Sequence, residues 1–178
     1  MNYIKTDIEG PVIIEPRVFG DARGYFFEAF RENEFEENVV PVKFVQDNES
    51  WSARRGVLRG LHFQKGEHAQ AKLVRVVKGR VQDVAVDIRE GSPTFGRYIS
   101  VILDGESKRS LFIPRGFAHG YAVLEDDTIF QYKCDNYYAP DSEGSYRWND
   151  PAFGIEWMLD PAEVILSAKD AQAPLLTR

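Results

Sequence analysis

Short apolar runs, cut by glycine, proline or aspartate, recur along most of this chain. Val12, Ile13 and Ile14 lie between prolines and predict a strand. Asp21-Ala22-Arg23-Gly24 predicts a turn, and the aromatic-rich residues 25–30 predict a second strand. Phe35 and Val39, four apart among charges, predict a helix over residues 31–40 that Pro41 ends. Residues 43–50 read as a strand leaving in a polar turn, and residues 51–56 as a loop. Residues 57–64, Val-Leu-Arg-Gly-Leu-His-Phe-Gln, read as a strand of unusual polarity. Strict alternation puts Leu58, Gly60, His62 and Gln64 on one face and Val57, Arg59, Leu61 and Phe63 on the other. Ionisable groups inside a strand cost free energy unless they are paired or used.

Further strands are predicted over residues 71–77, 80–88, 96–103, 110–114, 119–124 and 128–135. Lys78-Gly79 and Gly91-Ser92-Pro93-Thr94 mark turns, and Asp104-Gly105 is a strong hairpin signal. Residues 137–151 read as ordered loop and residues 153–157 as a last short strand. Residues 160–170 mix helical and extended signals. Many short strands without sustained strand–helix alternation predict an all-β sandwich or barrel, and a jelly roll suits the length. The 178 residues predict a single domain, 1–178.

Composition narrows the function classes. A formal net charge of -6 argues against a nucleic-acid binder, but a local cluster of cations still suits an anionic small molecule. Twelve Phe, eight Tyr and three Trp suit β-structure and planar ligands. Cys134 is the only cysteine, so neither an intrachain disulfide nor a cysteine-based metal site is expected. No window suggests a membrane span and residues 1–7 have no apolar signal core; the expectation is a soluble, cytoplasmic protein.

Candidate chemistry centres on His62, His68 and His119. Gln64, not a second histidine, stands two residues after His62, which disfavours a three-histidine metal centre. Without a metal, His62 is a candidate general base, or else a structural core histidine. Asp47, Asp83, Asp87 and Asp170 are all available to orient it, and spacing does not choose among them. Tyr132 shares a strand face with Phe130 and Cys134, as packing or as an acid. Lys72 shares one with Val74 and Val76, where it either snorkels outward or stabilises developing negative charge. Tyr137 and Tyr138 could stack on a base. Arg23, Arg59 and Lys169 could bind phosphates, and Arg59 is the one least well explained as a surface cation.

Eight stretches together resemble the dTDP-4-dehydrorhamnose 3,5-epimerases. They are residues 19–28, 46–48, 59–64, 70–74, 83–89, 92–96, 114–120 and 167–170, in that family's order over nearly the whole chain. Glu49-Ser50 stands where many members have Ser-Ser. The resemblance implies a cupin-type jelly roll that works without metal or organic cofactor. It implies a homodimer whose N-terminal strands cross to the partner. The implied substrate is a dTDP-linked 4-keto-6-deoxy sugar, dTDP-4-dehydro-6-deoxy-α-D-glucose, epimerised at C3 and C5 on the route to dTDP-L-rhamnose. The implied roles are His62 as base, Asp170 as its orienting carboxylate, Tyr132 as acid, and Lys72 beside the C4 carbonyl. Arg59 matches a diphosphate contact and His119 a further ligand contact. Gln46, Asp47 and Asn48 match thymidine-side contacts, Arg23 and Glu28 lie near the nucleotide, and Tyr138 matches a ring stacked on thymine. Glu143 and Lys169 match further ligand contacts. A relative that inverts a single carbon, or a non-catalytic sugar-binding cupin, are the competing readings.

Overall fold

The structure, a computed structural model, describes residues 1–177. In chain order the strands are β1 (Asn2–Lys5), β2 (Val12–Glu15), β3 (Phe19–Asp21), β4 (Gly24–Phe26), β5 (Gln46–Ser52), β6 (Leu58–Gln64) and β7 (Lys72–Lys78). They continue with β8 (Arg80–Asp87), β9 (Tyr98–Asp104), β10 (Ser110–Ile113), β11 (Phe117–Val123), β12 (Thr128–Cys134) and β13 (Glu143–Ser145). Two short helices, α1 (Glu32–Asn38) and α2 (Ala168–Ala171), complete the regular structure. One sheet has the order β1-β2-β10-β7-β12-β5 and faces another of order β13-β6-β11-β8-β9, while β3 and β4 form a separate hairpin. This is the antiparallel sandwich that the strand pattern predicts.

The core lies between the two sheets. Val74 and Val76 on β7, Val81 and Ala85 on β8, Tyr121 and Val123 on β11 and Phe130 on β12 meet there. Period-two alternation then places the next residues of those rows, Lys72, Asp83, His119 and Tyr132, toward the same interior. The outer face of the six-stranded sheet is covered by α1 and its approach, with Phe30, Phe35, Phe44 and Phe112 in edge-on contacts.

Several expectations need correction; residues 51–52 and 143–145, read as loop, lie in β5 and β13. Residues 47–50 are strand, not turn, because β12 supplies a full ladder from Cys134↔Gln46 to Thr128↔Ser52. Residues 25–30 hold only the three-residue β4, whose sole partner is β3. Asp104-Gly105 does not close a hairpin: β9 and β10 belong to different sheets. The Asp104 carboxylate instead accepts bonds from the Glu106 and Ser107 backbone N–H groups, making a corner that carries the chain across the sandwich. Residues 153–157 are not a strand either. Their neighbours bond to the Gln82 side chain, which accepts from Met158 N–H and donates to the Glu156 carbonyl. That segment closes over the outer face of β8, so Val84 and Val86 are as buried as the inward row.

Candidate active site

Strand β6 departs from strict alternation, and the departure builds the site. His62 pairs with His119, but Arg59 pairs with Tyr121, so three steps on β6 match two on β11. The extra residue is a bulge. Leu58 and Leu61 therefore both turn outward into covered apolar clusters. Arg59 and His62, predicted on opposite faces, both line the cleft between the sheets. Gly60 makes this possible. Its φ is +120°, and a Cβ there would lie 2.6 Å from Gly120 Cα and 2.7 Å from the His119 carbonyl oxygen.

The cleft has a volume of about 410 Å³ and is lined by Arg59, His62, Lys72, His119, Tyr121, Tyr132, Ser50, Lys169 and Asp170, among others. A second lobe of about 220 Å³ shares His62, Lys72 and Tyr132 and adds Gln46, Asn48, Gln64, Tyr138 and Glu143. The two lobes suit a ligand with a long axis, held at both ends, with a reacting centre between them.

His62 Nε2 lies 2.5 Å from Asp170 Oδ1. The second carboxylate oxygen accepts from Ser167 Oγ at 2.9 Å, and Ser167 Oγ accepts from Asp170 N–H. Burial pushes the Asp170 carboxyl up, but the His62 bond and charge, helped by Ser167 and the Gly60 N–H, hold it below the ordinary carboxylate range. Asp170 therefore stays ionised and fixes the imidazole's orientation. That arrangement leaves the other ring nitrogen as the proton acceptor.

A second histidine–carboxylate pair stands beside the first. His119 Nε2 contacts both oxygens of Asp83, at 2.9 and 3.1 Å, and both groups are buried. Burial outweighs Asp83 and lowers the His119 pKa, favouring a neutral ring. Asp83 stood among the possible partners of His62; spacing did not assign it to His119. A fully buried carboxylate inside Val81-Gln82-Asp83-Val84 is the signal that a partner had to exist. Tyr121 and Ser50 also escaped the sequence reading. Their hydroxyls are 2.8 Å apart, and the Tyr121 ring stacks on Phe130 with centroids 4.0 Å apart.

Tyr132 enters the cleft from β12, in the sheet opposite His62. Burial, with Cys134 and Tyr121 adding to it, pushes its phenol up to about 12. The group is protonated at any physiological pH, as an acid must be. Lys72 Nζ lies 5.8 Å from the centre of that ring, and burial lowers the Lys72 pKa against the pull of Cys134, Asp83 and Glu143. Neither Lys72 nor Arg59 forms an ion pair among the described residues, whereas Lys169 contacts Glu143 Oε2 at 2.5 Å and Tyr138 Oη reaches the same oxygen at 3.2 Å. Gln46 Nε2 donates to Asn48 Oδ1, and Tyr138 N–H donates to Gln46 Oε1, so these three move as one unit.

Four residues singled out in the sequence, Asp47, Arg23, Glu28 and His68, are not brought to this cleft within the chain. Asp47 alternates to the outer face of β5 and pairs with Lys133, at a separate cavity of about 360 Å³. Arg23 pairs with Asp21 at the tip of the β3–β4 hairpin, its side chain 90% exposed. Glu28 lies just beyond that hairpin, 3.9 Å from Arg31. His68 sits exposed on a turn, 3.9 Å from Glu67. Among the described residues no group of three histidine, cysteine or acidic side chains could hold a metal ion, and no helix is long and apolar enough to cross a membrane.

The family model described as dTDP-4-dehydrorhamnose 3,5-epimerase matches residues 5–178. The chain is 57% identical over 177 residues to the dTDP-4-dehydrorhamnose 3,5-epimerase of Salmonella typhimurium, covering 99% of this chain and 96% of that protein. Among solved structures it is similar to a dTDP-6-deoxy-D-glucose-3,5-epimerase from Legionella pneumophila in complex with dTDP-4-keto-L-rhamnose. The TM-score is 0.94 and the identity 52%, over 98% of this chain and 92% of that one. It is also similar to ChmJ, a 3'-monoepimerase from Streptomyces bikiniensis in complex with dTDP-quinovose, with a TM-score of 0.90 and 37% identity over 97% and 86% of the two chains. The chain is therefore an isomerase of cupin-type jelly-roll fold and belongs to the dTDP-4-dehydrorhamnose 3,5-epimerase family.

Proposed function

We propose that this chain inverts C3 and C5 of dTDP-4-dehydro-6-deoxy-α-D-glucose to give dTDP-4-dehydro-β-L-rhamnose. One observation carries the reading: His62, held by Asp170, and the protonated Tyr132 enter one cleft from opposite sheets. Protons at C3 and C5 flank the C4 ketone, so each leaves as an enolate forms. Inversion then requires a proton from the opposite face of the ring, which a base and an acid on facing sheets supply. In this reading His62 abstracts, Tyr132 returns a proton, and Lys72 stabilises the C4 oxyanion. The unpaired Arg59 takes the diphosphate. The Gln46–Asn48–Tyr138 unit takes the thymidine, with Glu143, Lys169 and His119 as further contacts. Binding energy from these remote groups holds the ring in reacting geometry.

The protein acts in this reading as a homodimer in the cytoplasm. Arg23, on a hairpin that exposes Phe19, Tyr25 and Phe26, and Glu28, just beyond it, stand outside the chain's own cleft. A second copy receiving that hairpin would gain both side chains and cover the aromatic surface. Cys134 is a buried free thiol, in keeping with a reducing compartment.

The test is incubation with the 4-keto-6-deoxyglucose nucleotide in deuterated water, followed by NMR of the product. Deuterium at both C3 and C5 with inversion at each is expected. Label at one carbon would replace this reading with a single-carbon epimerase, the activity named for the ChmJ neighbour. No label at either carbon, with binding retained, would leave a sugar-binding protein.

A further inference from the structure

Asp170 reaches His62 from the far end of the chain, 108 residues away, on a helix of four residues. So short a helix does not hold its own position. The segment that carries it is fastened before the helix to the start of the strand that carries His62, and after it to the loop that follows β13. Before the helix, Leu58 N–H donates to the Ile165 carbonyl and Ile165 N–H to the Gly56 carbonyl, at 3.0 and 2.8 Å. After it, Arg147 N–H donates to the Pro174 carbonyl at 2.8 Å and Arg147 Nε to the Ala173 carbonyl at 3.3 Å. The carboxylate of Asp150, itself buried, accepts Leu176 N–H on Oδ2 at 2.6 Å and Ala152 N–H on Oδ1 at 2.8 Å. The loop bearing Arg147 and Asp150 follows Tyr146, which exchanges both backbone bonds with Leu61, the residue next to His62. The base, its carboxylate and the tail anchor thus form one closed ring of backbone and side-chain contacts.

We propose that Asp150 is a positioning residue for the epimerisation. It seats the C-terminal tail, and through the tail it keeps Asp170 against His62. This rests on the reading of His62–Asp170 as the proton-abstracting pair. Asp150 makes no hydrogen bond to a residue lining the cleft; its bonds go to the tail, at Leu176, and to its own loop, at Arg147, Ala152 and Phe153.

Two variants test it in the full enzyme. Asp150→Asn keeps one carbonyl oxygen but loses the charged acceptor of Leu176 N–H. A chain ending after Ala173 keeps Asp170 and loses the Pro174 and Leu176 anchors. Each is expected to lower kcat roughly 10- to 100-fold while dTDP affinity stays within about threefold, as misplacement of a catalytic group predicts. In an Asp170→Asn background, Asp150→Asn is expected to cost nothing further in the rate of solvent-deuterium incorporation, because its route is already cut. Tail variants with kcat within about threefold of the unaltered protein, or with kcat and dTDP affinity falling together, would overturn the proposal. So would an undiminished Asp150→Asn effect in the Asp170→Asn background. If Asp170→Asn itself turns over normally, the base reading falls and this proposal with it. If Asp170→Asn is crippled and the tail variants are not, only the positioning role falls.

Discussion

Replacing Tyr132 with Phe separates proton abstraction from inversion. The phenolic ring packs beside Phe130 and under Lys72, contacts that a phenyl ring keeps. Its hydroxyl makes no hydrogen bond among the described residues, so its loss strands no partner. The variant should therefore unfold within about 1 kcal/mol of the unaltered protein. Catalysis should respond very differently. With the phenol pushed up to about 12, only about one molecule in ten thousand is ionised at pH 8, so the acid is fully armed. Removing a positioned acid costs about 10²- to 10⁴-fold, or about 3–5 kcal/mol of barrier. His62 and Asp170 are untouched, so in the proposed reading His62 still removes the proton. The assay is NMR in deuterated water, following exchange and configuration at C5 as separate signals. Exchange should persist while inverted product falls by the stated factor. Inversion within about threefold of the unaltered rate would refute the role of Tyr132. Loss of exchange and inversion in parallel would place Tyr132 with the base rather than opposite it.

Two predictions concern the frame around the site. Gly60→Ala forces a Cβ toward Gly120 Cα at a φ of +120° and should cost about 2–4 kcal/mol, lowering Tm by roughly 5–15 °C; an unchanged Tm would show that the bulge relaxes freely. Asp87 is buried, which pushes its carboxyl up, but bonds from Arg89, Ser92 and Thr94 prevail and hold it well below the ordinary value of 3.8. A depressed folded-state pKa stabilises the protein above the unfolded value, and that stability is lost as pH falls from there through the folded value. Asp87→Asn should cost about 2–4 kcal/mol at pH 7 in urea titrations, and the gap to the unaltered protein should narrow below about pH 4. A gap independent of pH would refute the electrostatic account.

Where the ladders keep an unbroken register, a strand's pattern could be read directly. Lys72 shares its face with Val74 and Val76, and Tyr132 with Phe130 and Cys134, as the alternation predicts, because the register of β7 and β12 is continuous over those residues. The same rule failed on β6, where a glycine bulge changes parity between Arg59 and His62. A bulge is set by the approach of Gly120 on another strand, which no local window contains. Residues 47–50 look like a turn because they are polar, but their polarity serves the cleft on one side and solvent on the other. Asp104-Gly105 gives a true turn, yet whether a turn joins partners or crosses between sheets depends on strand order. The His62–Asp170 pairing was legible only through resemblance. Four aspartates satisfied composition equally, and one of the others, Asp83, proved to serve His119.

The strand order has a consequence for how the chain acquires its site. In the six-stranded sheet β2 waits for β10, β7 for β10 and β12, and β5 for β12, so few neighbours in space are neighbours in sequence. Loop closure must precede nearly all of this pairing, which places such topologies among the slow folders, on the millisecond-to-second scale. During synthesis the first hundred residues would hold β5 and β7 with no partner for either in that sheet, and β2 with β1 alone. The outer-face helix and the β3–β4 hairpin could form early; the cleft could not. In the proposed reading its base gains a carboxylate only once residue 170, 108 residues after His62, has been made.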